Sequence, residues 1–381
     1  MKYYLIAGEA SGDLHGSRLV QQIRQTDPAA SLRGWGGDLM QNAGLSLVKH
    51  FRDLAFMGFA EVAANLPTIL RNIRFCKQDI LAFQPEVLVL IDYPGFNLRI
   101  ARWAKEQGFK VVYYISPQVW AWKSGRVRSM KKCIDRLLCI LPFEKAYYRK
   151  QWQWDVDYVG HPLTEVIADK QLHPPAALQY TRAVPTTDQR IIALLPGSRR
   201  QEIRKKLPIM LSVASAFPAY RFVVAQAPAL EDDFYAPFLE PYPNVAAVRN
   251  QTYDLLQQAS AALVTSGTAT LETALFGVPE VVCYKGSEIS YQIAKRLIDI
   301  DYISLVNLIM NRPVVKELIQ GALTRENLVE ELTKLLDYSS YRAAMLQDYR
   351  ELKNLLSNDG QASARAAAII CEVAGTSMKQ G

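Results

Sequence analysis

Two strand-to-helix junctions in the second half of the chain carry residue types suited to holding phosphate. The first is Ile191–Ile203. Ile191 to Leu195 is apolar without alternation, as expected of a strand buried on both faces of a parallel sheet. Pro196-Gly197 stops the strand, Ser198 stands where a helix cap is expected, and Glu202 falls in the first turns of the helix that follows. Such a glycine turn leaves backbone N–H groups facing outward, ready for an anion. Arg199 and Arg200 add guanidinium forks that match phosphate oxygens. An ordinary β-turn-α junction with two surface arginines would carry the same letters. The second junction runs from Thr265 to Pro279. Ser266, Gly267 and Thr268 offer another phosphate-sized nest, and Glu272, one turn into the helix, has acceptor oxygens for two ribose hydroxyls. Gly277 and Pro279 end that helix. Two such sites in one sheet point together to a nucleotide diphosphate. The chain has no G-x-x-x-x-G-K-[ST], which argues against ATP hydrolysis by a P-loop.

The first half offers acids instead. Gly8-Glu9-Ala10-Ser11-Gly12-Asp13-Leu14-His15-Gly16 follows the apolar run Tyr3–Ala7. Glu9 and Asp13 would repel pyrophosphate, so this loop, with Ser11 and His15, reads as lining a cleft that holds hydroxyls. The competing reading makes His15 a helix residue bonded to its neighbours. Asp92 ends the buried run Val87–Ile91, where open α/β sheets place catalytic groups. Partial desolvation beside Tyr93 and Phe96 would raise its basicity and suit it to take a proton from a hydroxyl nucleophile. It is equally placed to act as a helix N-cap. Gln118, Trp120 and Trp122 lie in the loop Ser116–Trp122, where the tryptophans suit sugar stacking, an interfacial belt or plain packing.

These groups need strands to position them. The runs at 3–7, 31–37, 87–91, 110–115, 137–143 and 158–163 alternate with helical patterns, and so do 191–195, 221–225, 245–248, 261–265 and 279–284. The division expected is 1–167, a polar proline-bearing linker at 168–189, a second domain at 190–345, and C-terminal helices at 346–381 that pack back on the first domain or a partner subunit. Asn307, in the apolar run 303–309, must find buried partners for its amide. At 51–83, Phe51, Leu54, Phe56, Met57 and Phe59 precede an amphipathic helix whose other face carries Arg71, Arg74 and Lys77. That pattern fits a lipid-touching helix or one packed on the sheet. Arg126, Arg128, Lys131, Lys132 and Arg136 form a basic run suited to a solvated face or to anionic lipid.

The chain has 381 residues, half of them apolar, and a net charge of +7. That charge fits a phosphate-bearing substrate, an anionic membrane surface or nucleic acid. Its five cysteines form no C-x-x-C pair and read as reduced, mostly buried thiols of a cytosolic protein. No signal peptide or membrane-spanning run is expected, so membrane contact would be peripheral.

The motifs Gly8–Gly16, Ser116–Trp122, Gly160-His161-Pro162-Leu163, Leu195–Arg199 and Thr265–Glu272, in that order, closely resemble the lipid-A-disaccharide synthase family of inverting GT-B glycosyltransferases. The resemblance covers nearly the whole chain. It implies two Rossmann-like, doubly wound parallel-sheet domains facing across a cleft. It implies transfer of 2,3-diacylglucosamine from UDP-2,3-diacylglucosamine to the 6-hydroxyl of lipid X, 2,3-diacylglucosamine 1-phosphate. The products are UDP and a β-1,6 disaccharide 1-phosphate on the way to lipid A and lipopolysaccharide in Gram-negative bacteria. Asp92 matches the base, with Glu9 and His15 beside it. Gly197, Ser198, Arg199, Ser266, Gly267, Thr268 and Glu272 match the UDP site, and Asn307, Glu317 and Gln320 a further part of the donor pocket. Ser11, Asp13, Gln118 and Trp120 fall on the acceptor side. The resemblance implies no cofactor and no metal, a homodimer exchanging C-terminal parts, and a cytoplasmic enzyme held peripherally on the anionic inner face of the inner membrane. One departure is Leu305-Val306-Asn307, where family members often carry Leu-Pro-Asn. Another GT-B transferase or epimerase acting on a UDP-N-acetylglucosamine-type substrate is the alternative. A non-enzymatic binder of anionic lipid or nucleic acid is the third reading, and Glu9, Asp13 and Asp92 would repel nucleic acid.

Overall fold

The computed structural model describes residues 1–54, 66–121, 123–182, 189–287, 301–358 and 360–375. Phe56, Met57, Phe59 and Trp122, singled out above, lie outside the described residues, as do the side chains of Leu54 and Leu66. The chain divides into two compact units: Met1–Pro162 with Leu356–Gly381, and Leu163–Leu355.

The first unit is built on strands β1 (Lys2–Ala7), β2 (Ser31–Gly36), β3 (Ser46–His50), β4 (Val87–Ile91), β5 (Lys110–Tyr114), β6 (Arg136–Cys139) and β7 (Asp157–Tyr158). Its helices are α1 (Ala10–Thr26), α2 (Asp38–Asn42), α3 (Leu66–Phe83), α4 (Pro94–Glu106), α5 (Val127–Cys133) and α6 (Pro142–Trp152). The second unit has helices α7 (Leu163–Gln171), α8 (Arg200–Leu211), α9 (Asp232–Leu239), α10 (Thr252–Gln258), α11 (Thr268–Leu275), α12 (Leu305–Met310), α13 (Arg325–Asp337) and α14 (Ser339–Ser357). Its strands are β8 (Arg190–Leu195), β9 (Tyr220–Gln226), β10 (Val245–Arg249), β11 (Ala259–Thr265), β12 (Glu280–Tyr284) and β13 (Lys316–Ile319). The last helix, α15 (Ala362–Ala374), packs against α1 of the same chain, in the first unit.

Both sheets are parallel. Their strand orders are β3-β2-β1-β4-β5-β6-β7 and β10-β9-β8-β11-β12-β13. In each, the chain starts at a central strand, moves outward, then returns to the other side. The carboxyl ends of β1 and β4, and of β8 and β11, therefore border the crevice where such sheets bind ligands. Register brings Ala7 level with Ile91, and Leu195 level with Val264.

The apolar runs form strands because both faces of each sheet are covered. Tyr3, Leu5, Val87, Val89 and Ile91 pack toward Leu19, Val20, Ile23, Ala366 and Ile370. Tyr4, Ile6, Leu88 and Leu90 face Ile73, Cys76, Ile80, Ile100 and Met130 on the other side. All five cysteines are buried and unpaired. Residues after α7 are tied to the second unit. The Ala176 N–H donates to Asp254 at 2.8 Å, the Thr181 N–H donates to the Ala247 carbonyl at 2.9 Å, and Tyr180 bridges Val248. Within the polar, proline-bearing stretch, residues 176–181 are therefore a strap held by side chains and edge backbone, and residues 183–188 lie outside the described residues.

Helix α3 packs one face on the sheet, as one of the two sequence readings expects, and leaves apolar side chains exposed elsewhere. Ile73, Cys76 and Ile80 are buried on the sheet, whereas Leu70, Phe75 and Leu81 are exposed alongside Arg71 and Arg74. Lys77 instead lies over the Trp103 ring at 5.3 Å.

Candidate active-site residues

In the first unit, Asp92 follows β4 with φ +46, and Tyr93 follows it with φ +49. Successive non-glycine residues in this left-handed region cost on the order of 1–3 kcal/mol each, so the surroundings must enforce them. They do so through buried hydrogen bonds. The Tyr113 hydroxyl donates to the Asp92 carbonyl at 2.6 Å, and Asn97 Nδ2 donates to it at 2.7 Å. Asn97 also donates to the Ile91 carbonyl at 3.2 Å. A Cβ on Gly8 would fall 2.2 Å from the Tyr93 ring, so only glycine lets the β1–α1 loop close over this turn. The position before α4 is Tyr93, and no side chain caps the helix, which overturns the N-cap reading of Asp92.

The half-buried Asp92 carboxyl is pushed up to about 6, first by burial and then by the charge of Glu9, while the Tyr93 N–H opposes the shift. Glu9 is exposed at the start of α1, and Ser11 is exposed two residues on. His15 is buried elsewhere on α1. Burial, then Arg18, pushes it down to about 4, and its Nδ1 has no hydrogen-bond partner among the described residues. It acts electrostatically on His161, which burial and then His15 push down to about 3. Both imidazoles are therefore neutral near pH 7. Asp13 is buried and accepts the N–H groups of Gly37, Leu39 and Met40 at 2.7, 3.1 and 3.0 Å, which fixes the start of α2. Gln118 is exposed and Trp120 half-buried. The Trp120 indole donates to Glu144 at 3.2 Å and meets Phe143 edge-on at 4.9 Å. Glu144 is a buried carboxyl that also accepts the Leu141 N–H at 3.0 Å, and burial pushes it up to about 8. Sequence reasoning passed over Glu144, whose only local signal is its place in the first turn of α6.

In the second unit, the turns after β8 and β11 are neighbours. Gly197 has φ +111, and Ser198 and Arg199 are exposed. Helix α8 starts one residue later than the Ser198 cap reading requires: its N-cap position is Arg199, with no side-chain cap. Its first N–H groups thus stay open to a ligand. Arg199 lies 3.6 Å from Glu202, while Arg200 lies over the Phe234 ring at 4.9 Å. Helix α11 begins after Gly267, again with no side-chain cap. A Cβ on Gly267 would meet nothing within 4 Å among the described residues, and Thr268 is exposed. Glu272 is half-buried and receives the Tyr253 hydroxyl at 2.7 Å. Burial raises its carboxyl above the ordinary range, with that hydrogen bond opposing.

Ser266, Asn307, Glu317 and Gln320 are brought together as a scaffold. Ser266 Oγ donates to the Ile303 carbonyl at 2.8 Å. Glu317 accepts the Ile303 and Ser304 N–H groups at 3.0 and 2.9 Å, and Asn307 Nδ2 at 2.9 Å. The Asn307 amide is completed by Val315, whose carbonyl accepts at 2.9 Å and whose N–H donates at 2.9 Å. Gln320 accepts the Gly286 N–H at 2.7 Å. Asn307 is thus the satisfied buried amide that its sequence context requires. Lys206, buried on α8 and bonded to Thr265, was not singled out from sequence. Its one signal was the spacing from Glu202. Among the described residues, no group of three or more His, Cys, Asp or Glu side chains is arranged to hold a metal ion.

Two parallel α/β units, each with polar groups at its switch point, place the chain in the GT-B fold class. The fold is similar to that of the UDP-GlcNAc 2-epimerase of Neisseria meningitidis, solved bound to UDP-GlcNAc, with TM-score 0.66, 14% identity and 98% and 100% of the two chains covered. It is likewise similar to the calicheamicin glycosyltransferase CalG4, with TM-score 0.60, 17% identity and 98% of each chain covered. Sequence narrows the class. Residues 3–370 match the family described as lipid-A-disaccharide synthetase. The chain is 38% identical over 371 residues to the lipid-A-disaccharide synthase of Trichlorobacter lovleyi, covering 96% of each. The chain belongs to the lipid-A-disaccharide synthase family and is a glycosyltransferase.

Proposed function

We propose that the chain transfers 2,3-diacylglucosamine from UDP-2,3-diacylglucosamine to the 6-hydroxyl of 2,3-diacylglucosamine 1-phosphate. Asp92 takes the proton from that hydroxyl as its oxygen bonds to the donor's anomeric carbon. The bond from that carbon to UDP breaks, and the diphosphate keeps the electron pair. A single displacement inverts the anomeric centre, giving a β-1,6 disaccharide 1-phosphate. The observation that carries this reading is Asp92, half-buried at the switch point beside Glu9, with its carboxyl pushed up to about 6. A base of that strength is ionised at neutral pH yet still attracts a proton in the transition state.

The open N-termini of α8 and α11, with Arg199, suit the developing charge on UDP. Glu272, held at one oxygen by Tyr253, suits the ribose hydroxyls. Ser266, Asn307, Glu317 and Gln320 hold the backbone at Gly286, Ile303, Ser304 and Val315. Ser11, Gln118 and Trp120 form the acceptor side with Glu9, while Asp13 serves by fixing α2. The exposed Leu70, Phe75 and Leu81 among Arg71 and Arg74 support peripheral docking of α3 on the anionic cytoplasmic face of the inner membrane. No helix among the described residues is long and apolar enough to cross a membrane.

The test is UDP release from donor and acceptor in detergent, followed against pH. Asp92 is active when ionised and its carboxyl is raised, so kcat/KM should rise with pH through about 6 and then level off. A profile flat from pH 5 upward would remove Asp92 as the base.

A further inference from the structure

Lys206 is 3% exposed, and a buried ammonium needs a reason. It projects from the second turn of α8. Nζ donates to Thr265 Oγ1, at the end of β11, and lies 3.8 Å from Glu202 Oε2. The turn after β8 is folded against the same atoms. A Cβ on Gly197 would stand 2.9 Å from Glu202 Oε2, 3.4 Å from Thr265 Cγ2 and 3.6 Å from Lys206 Nζ. The ammonium therefore sits behind the Gly197 turn and is bonded to the residue that opens the Ser266-Gly267 turn. These are the two turns whose helices begin without side-chain caps.

We propose that Lys206 is a positioning residue for the diphosphate of the donor, locking these two turns at the switch point and placing a fixed positive charge behind them. This rests on the reading of the second unit as the UDP-sugar site. Burial of that charge is unfavourable on its own. Desolvation lowers the lysine's pKa, and Glu202 and Cys283 pull it back. Lys206 and Arg199 share the single charge of Glu202, so a diphosphate arriving at the turns would add further negative charge in a site of reduced dielectric, where its attraction exceeds that of a surface lysine. Exposed Arg199 and buried Lys206 then divide the work. The arginine contacts the ligand, and the lysine holds the geometry and the field.

The prediction is that affinity lost on removing Lys206 grows with the ligand's charge. Titration calorimetry with uridine, UMP and UDP would compare the wild-type protein with Lys206→Met and Lys206→Arg. In Lys206→Met, UDP should weaken by about tenfold or more and UMP by less, while uridine should stay within about twofold. Lys206→Arg, which keeps the charge, should recover part of the UDP affinity. Should Lys206→Met fail to fold, Thr265→Val carries the same test with a smaller expected loss and the same ordering. Equal weakening of uridine and UDP would reduce Lys206 to a structural ion pair, and unchanged UDP binding would overturn the proposal. A wild-type protein that binds no UDP would instead overturn the donor-site reading.

Discussion

Asp92→Asn should lower kcat by about 10²–10⁴-fold, the usual span for loss of a general base. The substitution keeps the shape of the side chain, and the hydrogen bonds that enforce the turn go to the Asp92 backbone rather than its carboxylate. The fold should therefore survive, and a melting curve should barely move. UDP binding should also be unchanged, because the groups proposed for it belong to the other unit. Glu9 sharpens the expectation. Its charge is the second cause of the raised Asp92 basicity, so Glu9→Gln should shift the acid limb of the pH profile downward while leaving the reaction in place. A loss smaller than about tenfold in Asp92→Asn would mean that another group takes the proton.

Arg199→Ala should lower kcat and raise KM together, by about 10²-fold in kcat/KM. Arg199 is largely exposed and its ion pair with Glu202 is a surface one, so its removal costs little stability. Any large effect must then come from the ligand. A guanidinium that merely bound UDP equally in ground and transition states would change KM alone. One that meets charge developing on the leaving diphosphate changes kcat as well. Its neighbour supplies the control. Arg200 lies over the Phe234 ring, so Arg200→Ala should leave kcat/KM within about threefold.

The buried strands were legible because unbroken apolar runs such as Val87–Ile91 and Ile191–Leu195 have few other uses, whereas the strand order that makes switch points of their ends was not. β3 was not, since Ser46–His50 is a half-buried edge strand with no continuous apolar signal. Asp92 could be chosen because a carboxylate at a strand's carboxyl end is a local pattern. The fate of Asp13 was not local. It is decided by three amides at Gly37, Leu39 and Met40 that only tertiary folding brings near. Lys206 and Glu144 escaped for the same reason. Nothing adjacent in sequence tells that a charged side chain will be buried, and both are buried by contacts with other segments. Ser198 shows the limit of a capping pattern, because the helix begins one residue later than the cap would have it. Among the motifs, the glycine turns were the most informative, since Gly8 and Gly197 each occupy a place that a Cβ would spoil.

The most direct test is the structure of the product made by the purified chain from UDP-2,3-diacylglucosamine and 2,3-diacylglucosamine 1-phosphate. Mass spectrometry would give its composition, and the anomeric proton coupling its linkage. The account predicts one molecule of UDP per disaccharide 1-phosphate formed, joined through a β linkage to the 6-position, and no UDP release without acceptor. An α-linked product, an epimerised UDP-sugar, or UDP released without disaccharide would contradict it.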